Sequence, residues 1–123
     1  MANFKSRASF KLNRALALVG GFNAETLAGT KTLTAKDSTF QALDCGGGAR
    51  NVVLPAGEVK GRYFIIANKS DASENITLQQ PDASSTAATI NQNDMAIVYA
   101  ADDIADAASS GWSLFFMVSG SIT

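Results

Sequence analysis

Beyond residue 28 the chain alternates between short apolar runs and stretches rich in Gly, Pro, Asn, Asp and Ser. That rhythm belongs to sandwiches and barrels, in which brief strands are separated by tight turns. Eight strands are predicted, at 30–35, 39–44, 50–54, 62–68, 75–79, 86–91, 95–100 and 111–118. The breaks at 37–38, 45–48, 55–57, 69–74, 80–85, 91–94 and 102–110 carry residues that supply positive φ, fixed φ or local side-chain caps. The Cys45-Gly46-Gly47-Gly48 segment reads as such a turn. As a phosphate loop it lacks a following Gly-Lys-Ser/Thr, and a strand rather than a helix comes after it. The pattern predicts an all-β fold: a compact antiparallel β-sandwich, jelly-roll-like, over residues 29–123. Residues 1–28 are set apart as an N-terminal extended arm.

Three runs depart from the in-out alternation of a half-wet strand: Tyr63-Phe64-Ile65-Ile66-Ala67, Met95-Ala96-Ile97-Val98-Tyr99 and Trp112-Ser113-Leu114-Phe115-Phe116-Met117-Val118. Both faces of these strands are apolar, so something must cover the outer one. A small monomer has little spare chain for the purpose. A neighbouring subunit or the arm is the economical cover, which predicts an oligomer with Tyr63, Ile65, Tyr99, Phe115 and Met117 at its interface. In the arm, Phe4, Ala8, Phe10, Leu12, Leu16 and Leu18 fall on even positions and Lys5, Arg7, Lys11 and Asn13 on odd ones. That is a period of two, and it predicts an extended amphipathic strand. A helical stripe through Ala8, Leu12, Ala15, Leu16 and Val19 is also possible. Gly20-Gly21 would hinge the arm to the body.

Composition narrows the function. A chain of 123 residues suits one domain, and its net charge is -1. The charge is uneven: residues 1–36 hold six bases (Lys5, Arg7, Lys11, Arg14, Lys31, Lys36) against Glu25 alone, and the remainder holds four bases against ten acids. A basic arm on an acidic body suits a protein surface better than nucleic acid, so no nucleic-acid partner is expected. No stretch approaches the ~18 apolar residues of a membrane span, and no membrane partner is expected. The apolar stretch at 15–19 is too short for the hydrophobic region of a secretory signal.

Histidine is absent and cysteine occurs once, as Cys45. That removes the Ser-His-Asp and Cys-His arrangements, every His-ligated metal site, internal disulfides and Cys-rich zinc sites. No cofactor is implied. Asp94, Asp102, Asp103 and Asp106 match no EF-hand spacing and read as solvated turn acids. Asp44 and Glu58 would form a hydrolytic pair only if the fold brought them together. Trp112, Phe115 and Phe116 could stack on sugars or bases, but their place inside an apolar run reads as core packing. An enzyme is not expected.

One longer pattern carries a resemblance. It runs from Leu33-Thr34-Ala35-Lys36-Asp37-Ser38 through Leu43-Asp44-Cys45-Gly46-Gly47-Gly48 to Asn51-Val52-Val53-Leu54-Pro55-Ala56-Gly57. It continues with Gly61-Arg62-Tyr63-Phe64-Ile65-Ile66-Ala67-Asn68-Lys69 and Glu74-Asn75-Ile76-Thr77-Leu78. This order of strands and turns resembles the small β-sandwich of bacteriophage head decoration (cement) proteins and of some head- or tail-fibre modules. The resemblance implies a structural protein of the virion, located on the capsid surface. It also implies a homotrimer that binds the phage major capsid protein and stabilises contacts between its subunits. On that reading Phe4, Lys5, Arg7, Phe10, Lys11, Leu12 and Arg14 form a capsid-binding arm. A tail or head-fibre receptor-binding module is the alternative, its loops at 69–74 and 102–110 meeting host glycans. Heptads and collagen-like repeats are lacking, which disfavours a free-standing fibre shaft.

Overall fold

The structure, a computed structural model, describes residues 21–119. The arm positions Phe4, Lys5, Arg7, Phe10, Lys11, Leu12 and Arg14 lie outside the described residues, as does the choice between strand and helix for that segment. The described chain is all-β. Its strands are β1 (Phe22–Thr26), β2 (Lys31–Thr32), β3 (Phe40–Asp44), β4 (Arg50–Val53), β5 (Tyr63–Asn68), β6 (Ile76–Gln79), β7 (Thr86–Ile90), β8 (Asp94–Ala100) and β9 (Trp112–Ser119). Seven of the eight predicted strands match closely, and the first shrinks to the two residues of β2. Phe22–Thr26, grouped with the arm on sequence grounds, pairs along β3 as an edge strand.

The strands form two mixed sheets, one ordered β1-β3-β5-β8-β9 and the other β2-β4-β6-β7. The expected antiparallel arrangement is corrected here. β1 with β3, β3 with β5, β2 with β4 and β4 with β6 are parallel pairs. Only β5 with β8, β6 with β7 and β8 with β9 run antiparallel. The reason lies in the connections. From β1 to β6 the chain alternates between sheets at every step, so the link between two parallel neighbours is itself a strand of the opposite sheet. Parallel neighbours need a crossover of a dozen or more residues, and a strand with its two corners supplies one without a helix. The result is a short coil of stacked windings, closed at one end by β7, β8 and β9.

Between the sheets lies a core that includes Leu43, Val52, Phe64, Ile66, Ile76, Leu78, Ile90 and Val98, each 0% exposed. Alternation puts these side chains inward on successive odd or even positions of each strand. Trp112 is buried as expected and lies 5.7 Å, ring to ring, from Phe64. Its polar edge is satisfied: indole Nε1 donates to the Pro55 carbonyl at 2.9 Å. Buried Gln80 accepts from Trp112 N at 3.1 Å and donates through Nε2 to the Trp112 carbonyl at 2.8 Å.

The corners stack as closely as the strands. Gly46 has φ of +70°, and a Cβ built there would lie 2.6 Å from the Leu27 carbonyl oxygen of the winding beside it. Only glycine allows that approach. At the next corner Asn68 is wholly buried. Its Nδ2 donates to the carbonyls of Glu74 at 2.7 Å and Ile90 at 2.9 Å, and its Oδ1 accepts from Ser70 N at 3.1 Å and Ser70 Oγ at 2.7 Å. Ser70 Oγ in turn accepts from Cys45 N at 2.9 Å. A satisfied buried network of this kind holds two windings in one register.

Candidate functional site

Phe64 and Ile66 of β5 and Ala96, Val98 and Ala100 of β8 point into the core. Their strand neighbours therefore point to the outer face of the five-stranded sheet. There the register sets Tyr63 opposite Tyr99, Ile65 opposite Ile97 and Ala67 opposite Met95. The next strands extend the same surface. Phe40 of β3 sits beside Ile65, and Phe22 of β1 stacks on Phe40 with ring centroids 5.0 Å apart. On the far side, Phe116 of β9 lies opposite Ile97.

A bulge sharpens this side of the face. Ile97 pairs with Phe116, but Val98 pairs with Leu114, leaving Phe115 as an extra residue. Such an insertion re-aims the side chains around it. Phe115 meets Tyr99 edge-on at 6.1 Å and Phe116 at 6.5 Å, so consecutive aromatics gather on one surface. Together Gly61, Tyr63, Ile97, Tyr99 and Phe115 line an open depression of about 560 Å³. Phe115 is 69% exposed, Phe22 55%, Phe116 52% and Tyr63 47%. Here Phe115 and Phe116 depart from the core-packing expectation: alternation from buried Trp112 puts Phe115 outside, and the bulge turns Phe116 out beside it.

The size of the face matters. Four inter-strand gaps of about 4.8 Å and strands averaging about six residues at about 3.3 Å each give it an area on the order of 400 Å² in projection. Thr26, Asp44 and Ser113 share this face by alternation, so its apolar patch is smaller than the whole; patches of a few hundred Å² are often functional. The chemistry it offers is burial: aromatic and branched surface, without an acid-base pair or nucleophile among the residues that line the depression.

Of the five predicted interface residues, the structure brings Tyr63, Ile65, Tyr99 and Phe115 together on this face. Met117 stands apart. It pairs with core-facing Ala96 and packs partly against the core. The predicted interface did not include Phe22, Phe40, Ile97 or Phe116. Ile97 lies inside a two-sided apolar run and could have been found by taking alternate residues, whereas Phe116 faces outward only because the bulge shifts the alternation. Phe22 and Phe40 sit in polar surroundings that carry no such signal.

Asp103, Asp106, Glu58 and Cys45 each have a partner within the fold. Asp103 Oδ1 accepts from Lys60 N at 2.9 Å, and Asp106 Oδ1 accepts from Ala108 N at 3.0 Å. Glu58 pairs with the Arg62 guanidinium at 3.2 Å, and that guanidinium lies 4.2 Å over the Phe64 ring. Cys45 is buried, with Sγ 3.6 Å from the Asn75 carbonyl. No family model matches the chain, and a search among curated proteins finds no match for it.

Proposed function

We propose that this chain is a non-enzymatic structural protein of a bacteriophage virion, a homotrimeric decoration protein that cements neighbouring subunits of the capsid. The observation that carries the reading is the outer face of the five-stranded sheet, where Phe22 of β1, Tyr63 of β5 and Phe115 and Phe116 of β9 stand exposed. The apolar part of that face gains free energy when removed from water, at roughly 25 cal/mol per Å². Copies of the chain that shield one another gain it together. The decoration role itself rests on the resemblance of the strand-and-turn order to that class of proteins, and on the charge division between a basic arm and an acidic body.

The mechanism is multivalent docking. Three weak contacts carried by one trimer raise avidity by ~10²–10⁴ over a single contact. The arm residues Phe4, Lys5, Arg7, Phe10, Lys11, Leu12 and Arg14 supply much of the contact with the shell on this reading. Deleting residues 1–20 is the test. Loss of capsid binding by a truncated chain that still folds and associates supports the assignment, and full decoration of heads by that chain refutes it.

A further inference from the structure

We propose that Asp44, Asp71 and Glu74 form a binding site for a divalent cation of the calcium type, clamped between successive windings of the coil. Asp44 ends β3, and Asp71 and Glu74 belong to the corner that joins β5 to β6. One carboxylate oxygen from each of the three lies within 4.8 Å of the others. Calcium takes oxygen ligands at about 2.3–2.6 Å, so oxygens around one ion are at most about 5 Å apart, and the three fit a single coordination sphere.

The second observation concerns Glu74. The residue is only 9% exposed, and its Oε2 is buried without a hydrogen-bond partner. An ionised oxygen removed from water with nothing to meet it is costly, and a cation is the partner such a group lacks. Among the described residues the ion pairs are Lys31 with Glu25 and Arg62 with Glu58, and neither reaches these three carboxylates. Three like charges at this separation also repel one another, and a bound dication reverses the sign of that interaction.

The scaffold is set in advance. Asn68 Nδ2 holds the Glu74 carbonyl at 2.7 Å, Glu74 N donates to the Ala72 carbonyl at 2.7 Å, and Gly46 N donates to Asp44 Oδ1 at 2.9 Å. Exposed Asp71 leaves one side open for water to complete the shell. Donor chemistry selects the ion. The ligands are all hard oxygens, which suits calcium, and their uneven depth suits its flexible geometry better than the strict octahedron of magnesium. A cation here would tie the end of β3 to the next corner and stabilise the stack, whatever the outer face of the sheet binds.

Thermal and denaturant unfolding of the full chain in EDTA, in ~10 mM calcium chloride and in magnesium chloride of equal ionic strength tests the site. For a dissociation constant of ~10⁻⁴–10⁻³ M, typical of weak calcium modules, 10 mM calcium lowers the unfolding constant roughly 10- to 100-fold. Asp71→Asn, at an exposed position, should abolish the calcium response while stability in EDTA stays equal or rises, since one of three repelling charges is removed. Glu74→Gln should abolish it while stability in EDTA stays equal or rises. Identical unfolding in EDTA and calcium overturns the proposal. So does an equal gain with magnesium, or a calcium gain that survives in both variants.

Discussion

Gly46→Ala probes the stacked corners directly, and Gly57→Ala is its matched control. Both glycines hold left-handed backbone, at φ of +70° and +79°. An alanine in that region costs about 1–2 kcal/mol, and the loss of glycine's freedom in the unfolded chain is the same for both. Their surroundings differ. A Cβ at Gly57 meets nothing within 4 Å, whereas one at Gly46 lies 2.6 Å from the Leu27 carbonyl oxygen and 2.9 Å from Thr26 Cγ2. The carbonyl cannot yield freely, because Leu27 N donates to Asp44 O at 2.7 Å across the same two windings. Forced overpacking of this kind adds about 1–3 kcal/mol. Gly57→Ala should therefore cost about 1–2 kcal/mol and Gly46→Ala about 2–5 kcal/mol. Urea unfolding at one fixed protein concentration measures both, with unchanged m-values showing that the unfolded states are comparable. At this chain length each kcal/mol lowers the melting temperature by about 4 °C. A Gly46→Ala chain no less stable than Gly57→Ala would refute the close stacking of the corners.

Asn68→Ala should destabilise the fold by about 3–5 kcal/mol in the same assay, since it strands the Glu74 and Ile90 carbonyls and the Ser70 amide together. A loss under 1 kcal/mol would mean that the buried network does not hold the windings. Asp82 Oδ1 accepts from Ser84 N and Ser85 N at 2.8 Å, and its other oxygen accepts from Ser85 Oγ at 2.5 Å. Those bonds, the Ser85 hydroxyl first, hold its carboxyl down from 3.8 to about 2. A lowered folded value stabilises the turn above the unfolded value and loses that support as pH falls through about 2. Carboxyl NMR titration should find Asp82 ionised throughout the range where free aspartate gains its proton, and a midpoint near 4 would contradict the turn geometry.

Most strands were legible because their signals are local. The runs at 63–68 and 95–100 and the glycine corner at 45–48 announce a β protein by residue type alone. β1 escaped because Phe22-Asn23-Ala24-Glu25-Thr26 is a mostly polar edge strand whose partner supplies the pairing. Strand direction escaped for a different reason. Apolar alternation is the same for a strand read either way, so nothing in 40–44 or 63–68 says that they run parallel. The outer face was half legible: two-sided runs revealed Tyr63, Ile65, Tyr99 and Phe115, but the bulge that turns Phe116 outward beside Phe115 leaves no mark in composition. The carboxylates of Asp44, Asp71 and Glu74 meet only because two windings stack, a proximity that spacing along the chain does not encode.

Light scattering of the full chain at micromolar concentration reaches the central claim most directly, because the exposed aromatic sheet face is assigned to contact between copies. The expected mass is about three times the 12.8 kDa of one chain, falling to a single chain in the Tyr99→Ser, Phe115→Ser double variant with its β-sheet circular dichroism intact. A stable, soluble species of one chain's mass from the unaltered protein would contradict the account.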